Sequence, residues 1–206
     1  MREATKRVAA WFGLTAGLSG IMHGYYEILQ GNAKPGSLVI TSIGPPCVPE
    51  EVWNSCEPAM TIVPNFLITG ILAVIIGLVI LVWSLAFIQR RHGGLMLIVL
   101  SLILLLFGGG FFPPLIGIVG GIAGLKINQP LIVKESSGML RFAARLWPWP
   151  LVIFLVWVFG QIAVGYFFNE FLQRFMWFGI LLIFTTLPLS VYSAYAYDLQ
   201  NVVGKE

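Results

Sequence analysis

Apolar residues run through this chain in long blocks, and polar residues gather in the shorter stretches between them. The blocks predict an all-α, polytopic transmembrane bundle with six membrane segments, at about residues 8–29, 65–88, 95–111, 113–127, 151–168 and 175–197. A helix needs about 20 apolar residues to cross a hydrocarbon core of about 30 Å, and the first, second, fifth and sixth blocks approach that length. Between blocks lie a Pro-rich loop at 30–64 and a basic connector at 128–150, and a short polar tail follows from Asp198. The 206 residues read as one transmembrane domain, 1–206, with no room for a second globular unit.

The third and fourth segments pose a separate problem. Gly93 to Leu125 is a run of 33 residues without a charge, broken by Gly108-Gly109-Gly110-Phe111-Phe112-Pro113-Pro114. One helix of that length would reach roughly 50 Å, and two full crossings would take about 40 residues. Basic residues favour one resolution. An even number of crossings places Arg2, Lys6, Arg7, Arg90, Arg91, Lys126, Lys134, Arg141, Arg145 and Lys205 on one side, against Lys34 and Arg174 on the other. A single crossing divides the same residues equally. Because cytoplasmic loops carry the Lys/Arg excess, the stretch is read as a short Gly/Pro-broken returning hairpin. Both termini are then cytoplasmic and loop 30–64 is extracytoplasmic, in a plasma or inner membrane. Pro113 or Pro114 would open the return helix, where the N–H that proline lacks would have no partner anyway.

Composition agrees with the patterning. The chain is 58% apolar and 10% charged with mean hydropathy +0.88, against about 25% charged residues in soluble domains. The net charge of +3 reports orientation before it reports a polyanionic partner. No basic run with interleaved aromatics appears, and no nucleic-acid partner is expected. Met1 to Arg7 is basic and precedes an apolar run, as in a signal peptide, with small residues at Gly31-Asn32-Ala33. Val8 to Leu29 is nonetheless long for a signal core and carries His23 and Glu27, so it reads as a retained first span.

Small residues recur at helical spacing: Gly13, Gly17, Gly20 and Gly24, then Gly70, Ala73, Gly77 and Ser84, then Gly117, Gly121 and Gly124. Each set shares one helix face and would let backbones approach closely, whether within the chain or in a homo-oligomer.

His23 and Glu27 are the leading candidates for chemistry. At i and i+4 they sit beside the Gly20/Gly24 edge and should face protein. An ionisable pair inside a span suits proton relay, ion coordination or recognition of a polar ligand. Interfacial hydrogen bonding that pins the first segment to the outer loop is the structural alternative, with Tyr25 and Tyr26 as an aromatic belt. The His-x-x-x-Glu spacing resembles that of the emopamil-binding sterol isomerase family, over five residues and no further. No activity is carried over.

Gln161, Thr185 and Thr186 complete the candidate intramembrane polar set, and Pro188 predicts a kink whose freed carbonyls the threonines would satisfy. Cys47 and Cys56 are the only cysteines, and their spacing and compartment predict a disulfide stapling the outer loop. Glu50, Glu51 and Glu57 read as a solvated acidic face of that loop. Met139 to Trp147 reads as an interfacial helix, with Arg141, Arg145, Trp147 and Trp149 at the level of anionic headgroups. No nucleotide fingerprint, nucleophile elbow or metal-ligand cluster occurs, and no cofactor or metal is expected. The readings that remain are a non-enzymatic structural, accessory or partner-binding membrane protein, a small-solute, ion or proton carrier using His23/Glu27, and a lipid- or sterol-like ligand binder or membrane enzyme.

Overall fold

The computed structural model describes residues 2–41, 56–130 and 138–203, with side chains as far as residue 201. Those residues form eight helices and one two-stranded sheet. The helices are α1 (Glu3–Leu29), α2 (Phe66–Ala86), α3 (Gly93–Leu106), α4 (Phe112–Leu125), α5 (Gly138–Leu146), α6 (Trp149–Phe167), α7 (Asn169–Arg174) and α8 (Met176–Val203). Strands β1 (Val39–Thr41) and β2 (Pro58–Met60) pair antiparallel within the loop at 30–64. Three helices are long and apolar enough to cross a membrane: Phe66–Ala86, Trp149–Phe167 and Met176–Asn201.

α1 is the hub. It packs against α2, α3, α4 and α8, and its Val8, Ala9, Phe12 and Ala16 are fully buried. The small-residue stripes meet within this one chain. A Cβ built on Gly24 would lie 2.6 Å from the Gly70 carbonyl oxygen, and one on Gly17 would lie 2.7 Å from that of Gly77. Only glycine lets two backbones come that close, and the packing gained replaces the hydrophobic drive that lipid cannot supply. α3 and α4 lie antiparallel on the same logic, with Gly94 against Gly121 and Gly124. Phe12 meets Phe154 of α6 edge to face, at 4.9 Å between ring centroids.

The N-terminal end of α1 is closed from far away in sequence. Arg2, its N-cap residue, makes no side-chain capping bond. Asp198 of α8 does this instead, accepting from Ala4 N, Thr5 N and Thr5 Oγ1 at 3.0, 2.8 and 2.7 Å. Asp198 is therefore a buried helical residue, and α8 runs on to Val203, where a polar tail had been expected. Contacts from Asp198 at one end to Gly70 at the other set the bundle at roughly 30 Å along α1.

Segment boundaries differ from the sequence expectation at the Gly/Pro break. α3 stops at Leu106, short of residue 111, because Gly109 N turns back onto the Leu104 carbonyl and Gly108 adopts φ +83°. The return helix begins at Phe112, so Pro113 is its second residue and Pro114 its third. Phe107 then pairs with Thr61 in an isolated antiparallel bridge, and Gly108 N donates to the Met60 carbonyl at 2.8 Å. The turn is thus backed by the loop that carries β2.

Pro188 lies within a continuous α8. It frees the Phe184 carbonyl, but the nearby hydroxyls do not satisfy that group. Thr185 Oγ1 donates to Leu181 O and Thr186 Oγ1 to Leu182 O, each four residues back. The helix expected at Met139 to Trp147 is present as α5, with Ala143 and Ala144 buried against Ala196 and with Arg141 and Arg145 exposed. Trp147 stacks near Tyr197, while Trp149 is exposed.

Candidate functional site

At the end of α1 opposite Asp198, three structural elements converge on two ionisable side chains. His23 and Glu27 both occur on the buried face, one turn apart, because the helix turns that face toward α2 and the α3–α4 turn. Glu27 is fully buried, and neither carboxylate oxygen has a hydrogen-bond partner. His23 is buried as well, with Nδ1 unpartnered and Nε2 3.3 Å from Glu57 Oε2.

The turn forms the lid of this cluster. A Cβ on Gly108 would stand only 2.3 and 2.5 Å from the two Glu27 oxygens, and one on Gly110 would stand 2.6 Å from His23 Nε2. Both glycines have positive φ, +83° and +79°, so a side chain is excluded twice over, by backbone conformation and by space. Gly109 closes the turn against Leu104. The break that the sequence presented as a helix interruption is therefore the wall of the polar cluster.

Glu57 is the residue that sequence reasoning placed wrongly. It was expected on a solvated face, yet its side chain is only 17% exposed and meets His23. The contact spans loop and helix, and no local periodicity announces it. Just beyond it, Thr61 and Thr69 share a buried hydroxyl–hydroxyl hydrogen bond at 2.5 Å, joining the loop to α2. Among the described residues no group of three His, Cys, Asp or Glu is arranged to hold a metal ion.

The other candidates lie elsewhere. Gln161 is half-buried on α6, and Thr185 and Thr186 are on α8. None of these is brought to His23 and Glu27. Cys47 falls outside the described residues, as do Glu50 and Glu51, so the Cys47–Cys56 pairing does too. An open crevice of about 390 Å³ lies on the loop at 30–64, lined by Lys34, Ser37, Ile40, Pro58 and Phe66 among others. It is separate from the buried cluster.

At the opposite end Arg2 is also buried. Its Nη2 donates to the Pro130 carbonyl at 3.1 Å, and the guanidinium lies 4.8 Å from the Tyr195 ring centroid. No protein family model matches this chain, and no curated protein or solved structure matches it either.

Proposed function

We propose that this chain is a non-enzymatic integral membrane protein that supports or assembles with partners in the bilayer. One observation carries the reading. Inside the bundle, Thr15, Ser84, Ser101, Thr186 and Ser190 each donate to a carbonyl of their own helix four residues back. Hydroxyls closed onto their own backbone are poor lining for a hydrophilic path, and interhelical packing is the role that suits them. A partner surface is available where α6, α7 and α8 meet. Tyr166, Phe167 and Trp177 there are 84%, 72% and 78% exposed, and Phe168 and Phe171 extend the patch. Lipid, a second copy or another membrane protein could cover it.

A carrier of protons or small ions is the second reading, and the unpartnered Glu27 carboxylate favours it. Two measurements separate them. Purification in mild detergent should recover a partner protein or an oligomer whose retention falls on Trp177→Ala. Reconstituted vesicles should show no flux of protons or small cations above empty vesicles. Flux abolished by Glu27→Gln would overturn the first reading in favour of the second.

The proposed topology keeps six membrane segments, α3 and α4 being the paired short ones, with cytoplasmic termini and an extracytoplasmic loop. What supports it, besides the basic-residue count, is that Arg2, Pro130, Gln89 and Asn128 share one end of the bundle through Arg2–Pro130 and Asn128–Gln89 hydrogen bonds. Arg141 and Arg145 on exposed faces of α5 would meet anionic headgroups on that side. Single cysteines at residues 91 and 139, in a Cys47→Ser/Cys56→Ser background, should label only from the cytoplasmic side. Labelling of either from outside would reverse the orientation. In the unmodified chain, Cys47 and Cys56 are proposed to be disulfide-linked, and thiol alkylation should require prior reduction.

A further inference from the structure

We propose that Glu27 is a proton-binding site, loaded from the outer end of the bundle through Glu57 and His23 and closed toward the other end. The entry side rests on the topology proposed above; the site itself does not. Burial grades inward along the three residues. Glu57 retains 17% side-chain exposure, His23 retains 7%, and Glu27 is sealed. Imidazole is the one side chain that can accept a proton on one nitrogen and release another from the second. Here Nε2 faces Glu57 at 3.3 Å, and Nδ1 is unpartnered on the same helix face as the unpartnered Glu27 oxygens.

The transfer balances simply. A proton from outer water passes through the Glu57 carboxylate to His23 Nε2, and the Nδ1 proton moves to a Glu27 oxygen. A rotation of either α1 side chain or one intervening water completes that last step. Glu57 returns to its starting state, the imidazole is left neutral with its proton on Nε2 and is reset by a flip of the ring, and the net change is one carboxylate becoming one carboxylic acid.

The occupant is argued from space and neighbours. The Gly108 backbone is packed against both Glu27 oxygens, and Glu27, His23 and Glu57 are not arranged so that all three could hold one metal ion. An uncompensated carboxylate away from water is strongly disfavoured, so the smallest cation is the natural partner. Among the described residues packed against α1 at this level, 65–89 of α2 and its flanks, and 93–125 of α3 and α4, contain no ionisable side chain. For the same reason the route ends at Glu27. Further along α1 come Gly20, Gly17 and Thr15, the last bonded to Trp11 O.

Infrared difference spectroscopy on oriented proteoliposomes tests this directly. Stepping the outer pH across the acidic-to-neutral range should change the carbonyl stretch of a protonated carboxyl, and Glu27→Gln should remove that component. His23→Phe should keep its amplitude and slow its appearance by on the order of a hundredfold, the loss expected when a positioned proton carrier is removed. Glu57→Gln should also slow it. A band that persists in Glu27→Gln would overturn the site, as would a folded protein without any pH-sensitive carboxyl band. Unchanged kinetics in His23→Phe would overturn the route. A response only to the inner pH supports the site and overturns the orientation, which keeps the two failures apart.

Discussion

Gly24→Val is expected to separate α1 from α2 and to be strongly destabilising. A Cβ at Gly24 would meet the Gly70 carbonyl oxygen at 2.6 Å, Ala73 Cβ at 2.9 Å and Val74 N at 2.9 Å. Two of those three atoms are backbone, so no rotamer change relieves the overlap. Overpacking a filled interior by one carbon costs about 1–3 kcal/mol, and valine adds two more methyl groups in the same place. The penalty extends beyond the contact, because parting α1 from α2 at Gly24 also loosens Gly17 against Gly77. Denaturant titration in detergent micelles should therefore show Gly24→Ala destabilised and Gly24→Val more so. Gly160→Ala is the control. Nothing lies within 4 Å of a Cβ there, and helix propensity alone predicts a gain of up to about 1 kcal/mol. Equal stability of Gly24→Val and the parent would mean that the glycine faces are not in contact.

Asp198→Ala is also expected to be strongly destabilising. It removes three hydrogen bonds at once and leaves the Ala4 and Thr5 amide groups without acceptors in a buried position. Loss of an N-terminal cap costs about 0.5–2 kcal/mol, and a buried donor left unsatisfied adds about 1–3 kcal/mol. Asp198→Asn keeps one oxygen and should fall between the two. Backbone hydrogen exchange should localise the loss to the first turn of α1. If exchange there is unchanged while global stability falls, the carboxylate acts through packing and not as a cap.

The helical class was legible because apolar blocks announce themselves by length, whatever they touch, and three of the described helices, Phe66–Ala86, Trp149–Phe167 and Met176–Asn201, are long and apolar enough to cross a membrane. The helix α5, Gly138–Leu146, was legible too, from Arg141 and Arg145 one turn apart among apolar neighbours. What escaped was set by contacts between distant segments. β1 and β2 are three residues each and pair across the long loop 30–64, below the length at which an alternating pattern can be read. α7 is a six-residue turn between longer helices. Asp198 read as the start of a polar tail because its partners, Ala4 and Thr5, are more than 190 positions away. Within the candidate site, His23 and Glu27 could be placed on one face by their spacing. Glu57 could not, since only tertiary structure brings it to the imidazole. Gly108 and Gly110 were visible as a helix break, but their role against the two α1 side chains depends on the height at which the turn meets α1.

The central position of α1 carries a consequence for how the protein is made. Of the 27 residues of α1, 13 are buried, and it is missing from the three that are long and apolar enough to cross a membrane. Those three bury 28% of their best window and turn the rest outward. α1 is therefore less able than those three to hold its place alone among lipid chains. Its histidine, glutamate, threonines and glycines become tolerable only as the other helices surround it. Stable placement of α1 is then expected to depend on assembly of the bundle, including the cap that Asp198 of α8 supplies to its first turn.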